Sequence, residues 1–139
     1  MAFTGNYTCD VFKSGLLTGA FNFSSGSFYM ALYTNNATLD ASTTAYTTTG
    51  ESSGGNYVAG GQLLAGATVA VSNNVAYLTF NNPLWTGTIT ARGALIYKAG
   101  DNGAVCVLDF GADKTSTSAG TFTVQFPTGN STSAIIRIV

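Results

Sequence analysis

Three features of the sequence predict an all-β chain, folded as a single-domain, jelly-roll-like β-sandwich with one short N-terminal helix. Apolar residues recur with a period of two through most of the chain. Two turn sequences, Asn73-Asn74 and Asp101-Asn102-Gly103, separate pairs of such runs. Helical periodicity is confined to one early segment. At 139 residues the chain suits one domain, which can bury about 70% of its unfolded surface without disulfides or metal. Residues 1–139 are read as one unit, with 1–20 forming an N-terminal arm and the helix.

The helix is expected just after Asp10, whose side chain suits an N-cap. Phe12, Leu16 and Leu17 share one helical face, and Gly19 can end the helix. Gly15 in its interior weighs against stability. Next, Phe28, Met30 and Leu32 alternate with Tyr29, Ala31 and Tyr33, as in a strand. Further strands are expected at Thr68–Val71, Val75–Phe80, Thr88–Arg92, Ala94–Lys98, Ala104–Phe110, Thr121–Phe126 and Ala134–Ile138. Within Thr121–Phe126, Phe122, Val124 and Phe126 point inward while Thr121, Thr123 and Gln125 point to water. Such half-polar alternation belongs to antiparallel sheets with one wet face. The stretch 35–66 is rich in Thr, Gly and Ser. A long structureless loop is unusual inside a compact domain, so short strands are expected near Ala45–Thr49 and Asn56–Ala59. About eight to ten short strands with frequent turn signals make the sandwich pattern.

Charged residues make up 8% of the chain, against roughly 25% in an average soluble protein. With 45% hydrophobic residues it is too apolar for disorder. The net charge is −1, and the cations Lys13, Arg92, Lys98, Lys114 and Arg137 are scattered singly. Counterion release needs clustered cations, so no nucleic-acid partner is expected. There is no basic amphipathic stretch and no apolar run near 18 residues, so no membrane is expected either. The opening Met1-Ala2-Phe3-Thr4-Gly5-Asn6 lacks the charged and apolar regions of a secretion signal, which predicts folding in a reducing cytosol. Cys9 and Cys106 are accordingly expected to be buried thiols, with one long-range bridge between them as the alternative.

The chain has no histidine, which removes Ser-His-Asp and Cys-His catalysis. Asp109-Phe110-Gly111 matches the magnesium motif of kinases but lacks every accompanying element, and reads as a strand turning at Gly111. Asp101, Asp109 and Asp113 lack the spacing of a calcium loop. Gly54-Gly55 and Gly60-Gly61 lack the Lys of a phosphate loop and suit close approaches of backbone to backbone. No enzyme, cofactor or metal is expected. Trp85 and Tyr57 are the candidate residues for a sugar-stacking platform, although Trp85 reads as readily as core. A surface of Thr, Ser, Asn, Gly and Tyr has little charge to oppose association, which predicts a homo-oligomer.

Nearly the whole chain, from about Cys9 to Val139, resembles a family of small virion proteins of tailed bacteriophages. The resemblance rests on segments in order: 12–19 (FKSGLLTG), 31–34 (ALYT), 44–51 (TAYTTTGE), 56–61 (NYVAGG), 88–97 (TITARGALIY), 107–111 (VLDFG) and 134–138 (AIIRI). It implies a cement protein that decorates the capsid exterior as jelly-roll-like trimers seated on the major capsid protein, made in the host bacterial cytoplasm. It supplies no catalytic residues. The segment around Tyr7, Phe12, Leu16 and Leu17 is the expected contact with a partner subunit, with a buried end-cap as the equal alternative. The alternative function is a tail-associated adhesin or carbohydrate-binding module recognising host glycan through Tyr57 and Trp85.

Overall fold

The computed structural model describes residues 3–139. Its elements are β1 (Tyr7–Thr8), α1 (Asp10–Thr18), β2 (Phe28–Tyr33), β3 (Gln62–Leu63), β4 (Thr68–Ser72), β5 (Val75–Thr79), β6 (Leu84–Thr86), β7 (Thr90–Lys98), β8 (Ala104–Thr115), β9 (Thr121–Thr123) and β10 (Ile136–Ile138). The fold is mostly β, with antiparallel sheets packed together in the manner of a sandwich. A five-stranded sheet runs β1-β8-β7-β2-β3, a three-stranded sheet β10-β5-β4, and a two-stranded sheet β6-β9.

Helix α1 forms despite its interior glycine. Gly19 takes the left-handed conformation, its N–H bonds to Leu16 O, and Ala20 N–H reaches Gly15 O at 2.8 Å. This double closure satisfies the last carbonyls of the helix. Asp10 is not the N-cap as expected: Cys9 holds that position, and Asp10 is the first helical residue, its N–H bonded to Ala41 O. Its carboxylate still lies in the first turn, where the helix dipole favours negative charge. Gly15 is required by packing. A Cβ there would come 2.5 Å from the Phe21 ring, which itself meets Phe12 edge to face at 5.0 Å.

The central strands differ from a half-wet sheet. In β2, Ala31, Leu32 and Tyr33 are all fully buried, so both faces are covered. On one face Phe28 stacks on Phe23 at 4.3 Å and also meets Phe80. On the other, Tyr29, Tyr97 and Tyr46 form a stack with centroid spacings of 5.8 and 4.8 Å. The expected strands Thr88–Arg92 and Ala94–Lys98 are one continuous strand, β7. Gly93 does not break it; its bare Cα admits the Phe3 ring and Leu108 O against the sheet. β8 runs past Phe110 to Thr115, with an irregular register between Asp109 and Lys114 and a left-handed Gly111. Strand alternation in 121–126 holds, with Phe122, Val124 and Phe126 buried; only Thr121–Thr123 pair as regular strand, and Val124 continues by bonding Pro83 O.

Both hairpins form where the turn sequences place them, but only the first is a two-residue primed turn. Asn73 and Asn74 have φ of 51° and 65°, the primed turn that a two-residue hairpin needs. In the second turn the left-handed positions are Gly100 and Asn102, and Asp101 Oδ1 accepts Gly103 N–H at 3.0 Å. The stretch 35–61 corrects the expectation of strands at Ala45–Thr49 and Asn56–Ala59. It contributes only isolated bridges, Tyr33 with Glu51 and Ala45 with Gly103. It is held by single backbone bonds to its neighbours, such as Ser52 N–H to Leu32 O and Asn56 N–H to Thr86 O, and by side chains rather than by a ladder.

The packing of Gly15 yields a prediction. Gly15→Ala should destabilise the protein by about 1–3 kcal/mol although alanine is the better helix former, because the ring of Phe21 must move. Urea unfolding with an unchanged slope and a lowered midpoint would show it; a raised midpoint would mean that Phe21 yields without cost.

Candidate functional site

Four of the six carboxylates, Asp40, Glu51, Asp101 and Asp109, are engaged in internal hydrogen bonds or ion pairs. Glu51 lies at the edge of β2 and receives three donors: Tyr46 OH at 2.7 Å, Tyr57 OH at 2.6 Å and Gly60 N–H at 2.8 Å. The Tyr57 hydroxyl also accepts Leu32 N–H at 2.9 Å, and Tyr97 OH donates to Gly60 O. Tyr33 OH donates to Thr47 O at 2.6 Å. Burial, and then the neighbouring carboxylate, raise the Tyr46 and Tyr57 phenols well above their ordinary value of 10.0; burial also raises Tyr33. Asp109 pairs with Arg92, whose guanidinium also lies over the Phe3 ring, and accepts Gly111 N–H at 2.8 Å. Asp101 pairs with Lys98 at 3.1 Å, and its carboxyl is held below the ordinary range by Gly103 N–H and Lys98. Among the described residues, no group of three or more His, Cys, Asp or Glu is placed to hold a metal ion. Both cysteines are free and buried, and burial first, then Asp10 and Asp40, push the Cys9 thiol up to about 11.

The sequence-derived contact residues separate in space. Phe12 is 1% exposed and belongs to the core, so it corrects the expectation of a partner contact; it is an end-cap residue. Tyr7 is half-buried in β1, paired with Val107, and its hydroxyl meets Thr4 Oγ1 at 2.7 Å. Leu16 is half-buried against the core, while Leu17, one residue on, is 91% exposed. One helix thus presents Phe12 inward and Leu17 outward.

The glycan platform also needs correction. Tyr57 and Trp85 do meet, with centroids 5.8 Å apart, but Trp85 is 2% exposed. Its ring faces are spent on core packing and none is open to stack on a sugar. The hydroxyl of Tyr57 is committed to Glu51 and Leu32.

What remains open is an apolar surface that sequence reasoning missed. The pairings Val69–Leu78–Ile136 and Val71–Ala76–Ile138 place six apolar residues on one face of the three-stranded sheet. Leu78 and Ile136 are buried, and a groove of about 120 Å³ between Leu16, Val69 and Ile138 marks where the cover from α1 ends. Beyond it Val69, Val71 and Ile138 are 58%, 72% and 52% exposed. The only available signal was that Val69 and Val71 alternate with small residues, which equally describes a strand facing a core. Elsewhere a cleft of about 430 Å³ lies between the outer half of β8 and β9, lined by Phe110, Phe122 and Lys114 among others. No helix among the described residues is long and apolar enough to cross a membrane.

Comparison of the chain with protein-family models, with curated proteins and with solved structures gave no match.

The raised phenols set a pH dependence. An unfolded tyrosine ionises near 10, while folded Tyr33, Tyr46 and Tyr57 hold their protons to higher pH. Their stabilisation is complete below pH 10 and declines as pH rises above it, with a slope of about 1.4 kcal/mol per pH unit for each phenol involved. Urea midpoints followed into alkali should fall steeply. Glu51→Ala should cost about 2–4 kcal/mol at neutral pH by orphaning its donors, and should flatten the alkaline decline in part. An alkaline midpoint that does not move would contradict this role for the tyrosines.

Proposed function

We propose that the protein is a structural, non-enzymatic virion component that decorates the capsid exterior and stabilises it by bridging major capsid subunits. Two considerations support the reading. The ordered segments of the chain resemble small bacteriophage virion proteins, and its surface chemistry suits contact rather than catalysis. The observation that carries it is the open apolar face of the three-stranded sheet, where Val69, Val71 and Ile138 lie exposed beyond the groove; Leu17 on α1 is exposed separately, and the carboxylates Glu51, Asp101 and Asp109 are taken up by internal bonds. Apolar side chains clustered on one open sheet face support a surface that another protein covers.

The physics of a clamp follows from mass action. A protein that binds only where neighbouring capsid subunits are in contact stabilises that closed arrangement, and separating the subunits must then break its contacts too. A standard interface buries about 1,600 Å² in total, and many copies on one shell multiply the effect. A surface poor in charge lowers the cost of drying such an interface. The adhesin reading has lost its platform with the burial of Trp85.

Immunogold labelling of intact particles from the source virus, with antibody against the purified protein, is the direct test. Dense label over heads is expected, together with DNA release at lower temperature from particles that lack the protein. Leu17→Asp should weaken binding to capsids by roughly tenfold or more with little change in stability, because the side chain is exposed. Label restricted to tail tips, or absent from every particle, would overturn the proposal.

A further inference from the structure

The edge strand β4 has no partner on its outer side. It pairs with β5 alone, and no other backbone hydrogen bond of the described residues involves 68–72. The remaining sheet edges are all managed by one of the devices natural proteins use against edge-to-edge pairing. β1 and β3 are two residues long and β9 three, β10 carries Arg137, and the outer half of β8 carries Asp113 and Lys114. The edge at β6 is bonded by the Gln62 side chain to Leu84 and by the Asn56 side chain to Thr86. β4 has none of these: no proline, no bulge, and no charged residue between Glu51 and Arg92.

Its sequence is also nearly palindromic. Thr68-Val69-Ala70-Val71-Ser72 reads hydroxyl, valine, alanine, valine, hydroxyl in either direction. We propose that β4 pairs antiparallel with β4 of a second copy about a two-fold axis through Ala70, joining two three-stranded sheets into one continuous sheet. In that register Val69 faces Val71 of the second copy, Thr68 faces its Ser72, and Ala70 faces its Ala70. The hydrogen bonding agrees. The two-residue turn makes Ser72 and Val75 a hydrogen-bonded pair, and alternation along the ladder directs the N–H and C=O of Val69 and Val71 outward. Those are the residues that the two-fold pairing sets in hydrogen-bonded register. The pairing also brings the exposed apolar side chains of both copies together on one face, Val69 beside Val71 at the junction.

A two-fold axis makes the contact isologous, so the same patch serves both copies and closes on itself. It therefore gives a dimer rather than the trimer that the resemblance implies. A second copy is the fitted occupant because the edge is its own complement in sequence, in hydrogen-bond phase and in lack of charge. The inference does not rest on the virion reading, and holds or fails whether or not the protein binds a capsid.

Sedimentation equilibrium of the purified full chain across a concentration series is the first measurement, with twice the 14.3 kDa chain mass expected as the associated species. Val71→Lys should weaken association by roughly a hundredfold, since a charge is forced into the junction, and circular dichroism should be unchanged because the position is exposed. The register has its own test. Ala70→Cys places two thiols across the axis in a non-hydrogen-bonded pair, where Cα atoms approach to about 4.5 Å and a disulfide can close. Oxidation should then give a covalent dimer, whereas Thr68→Cys, set opposite Ser72, should not; buried Cys9 and Cys106 do not compete. A monomer at all concentrations, a trimer, a dimer unaffected by Val71→Lys, or crosslinking through Thr68→Cys but not Ala70→Cys would each overturn the proposal.

Discussion

The carboxylate of Glu51 is the interaction on which the rest of the structure depends. It gathers Tyr46, Tyr57 and the Gly60 amide, and through them fastens the long excursion between β2 and β3 across the five-stranded sheet. That excursion has almost no ladder pairing of its own. Without an acceptor at its centre, phenols drawn into the interior would lose their water without replacement, which costs more than a hydrogen bond gains. With the acceptor present, the tyrosine stack Tyr29–Tyr97–Tyr46 and the buried Tyr33 close the second face of β2 and β7. The first face is closed by aromatic contacts running from Phe12 through Phe23 to Phe28 and Phe80. The centre of the main sheet, β2 with the middle of β7 and the start of β8, is thus dry on both sides, while β3 and the outer half of β8 are exposed.

The three-stranded sheet is the opposite case. One end of its apolar face is covered, at Leu78 and Ile136, and the other is not. The same scarcity of charge governs both situations. Inside, the tyrosines and Ser52 are satisfied by one carboxylate and by backbone groups; no buried side-chain nitrogen or oxygen among the described residues lacks a partner. Outside, it leaves valines and an unpaired strand edge with nothing to discourage contact. A surface of this kind favours contact with another protein, and the functional reading turns on that association.

Much of the fold was legible in the sequence wherever the physics is local. The double asparagine of 73–74 tolerates the left-handed pair that a tight hairpin needs, Gly19 ends a helix by its freedom at positive φ, and Phe122, Val124 and Phe126 alternate because strands do. Other elements misled for identifiable reasons. Gly93 resembled a strand break because the approach of Phe3 that requires it comes from ninety positions away. Tyr57 and Trp85 resembled a platform because composition cannot tell a ring in the core from a ring on the surface. Phe12 and Leu17 shared one helical face in the expectation, yet one is core and the other solvent-exposed.

The sequence by itself determined the β class, the two hairpins, the end of the helix and the absence of histidine chemistry, since each follows from backbone sterics, side-chain period or composition. Tertiary structure alone decided which carboxylate meets which phenol, that Trp85 is buried, that β2 is dry on both faces, and that β4 is left at an edge. Those outcomes depend on contacts between residues far apart in the chain, and in a β protein the partner of each strand is set by such distant pairings rather than by the strand's own residues. The palindrome of 68–72 was present in the sequence throughout. It acquired meaning only when the fold placed it at an open edge.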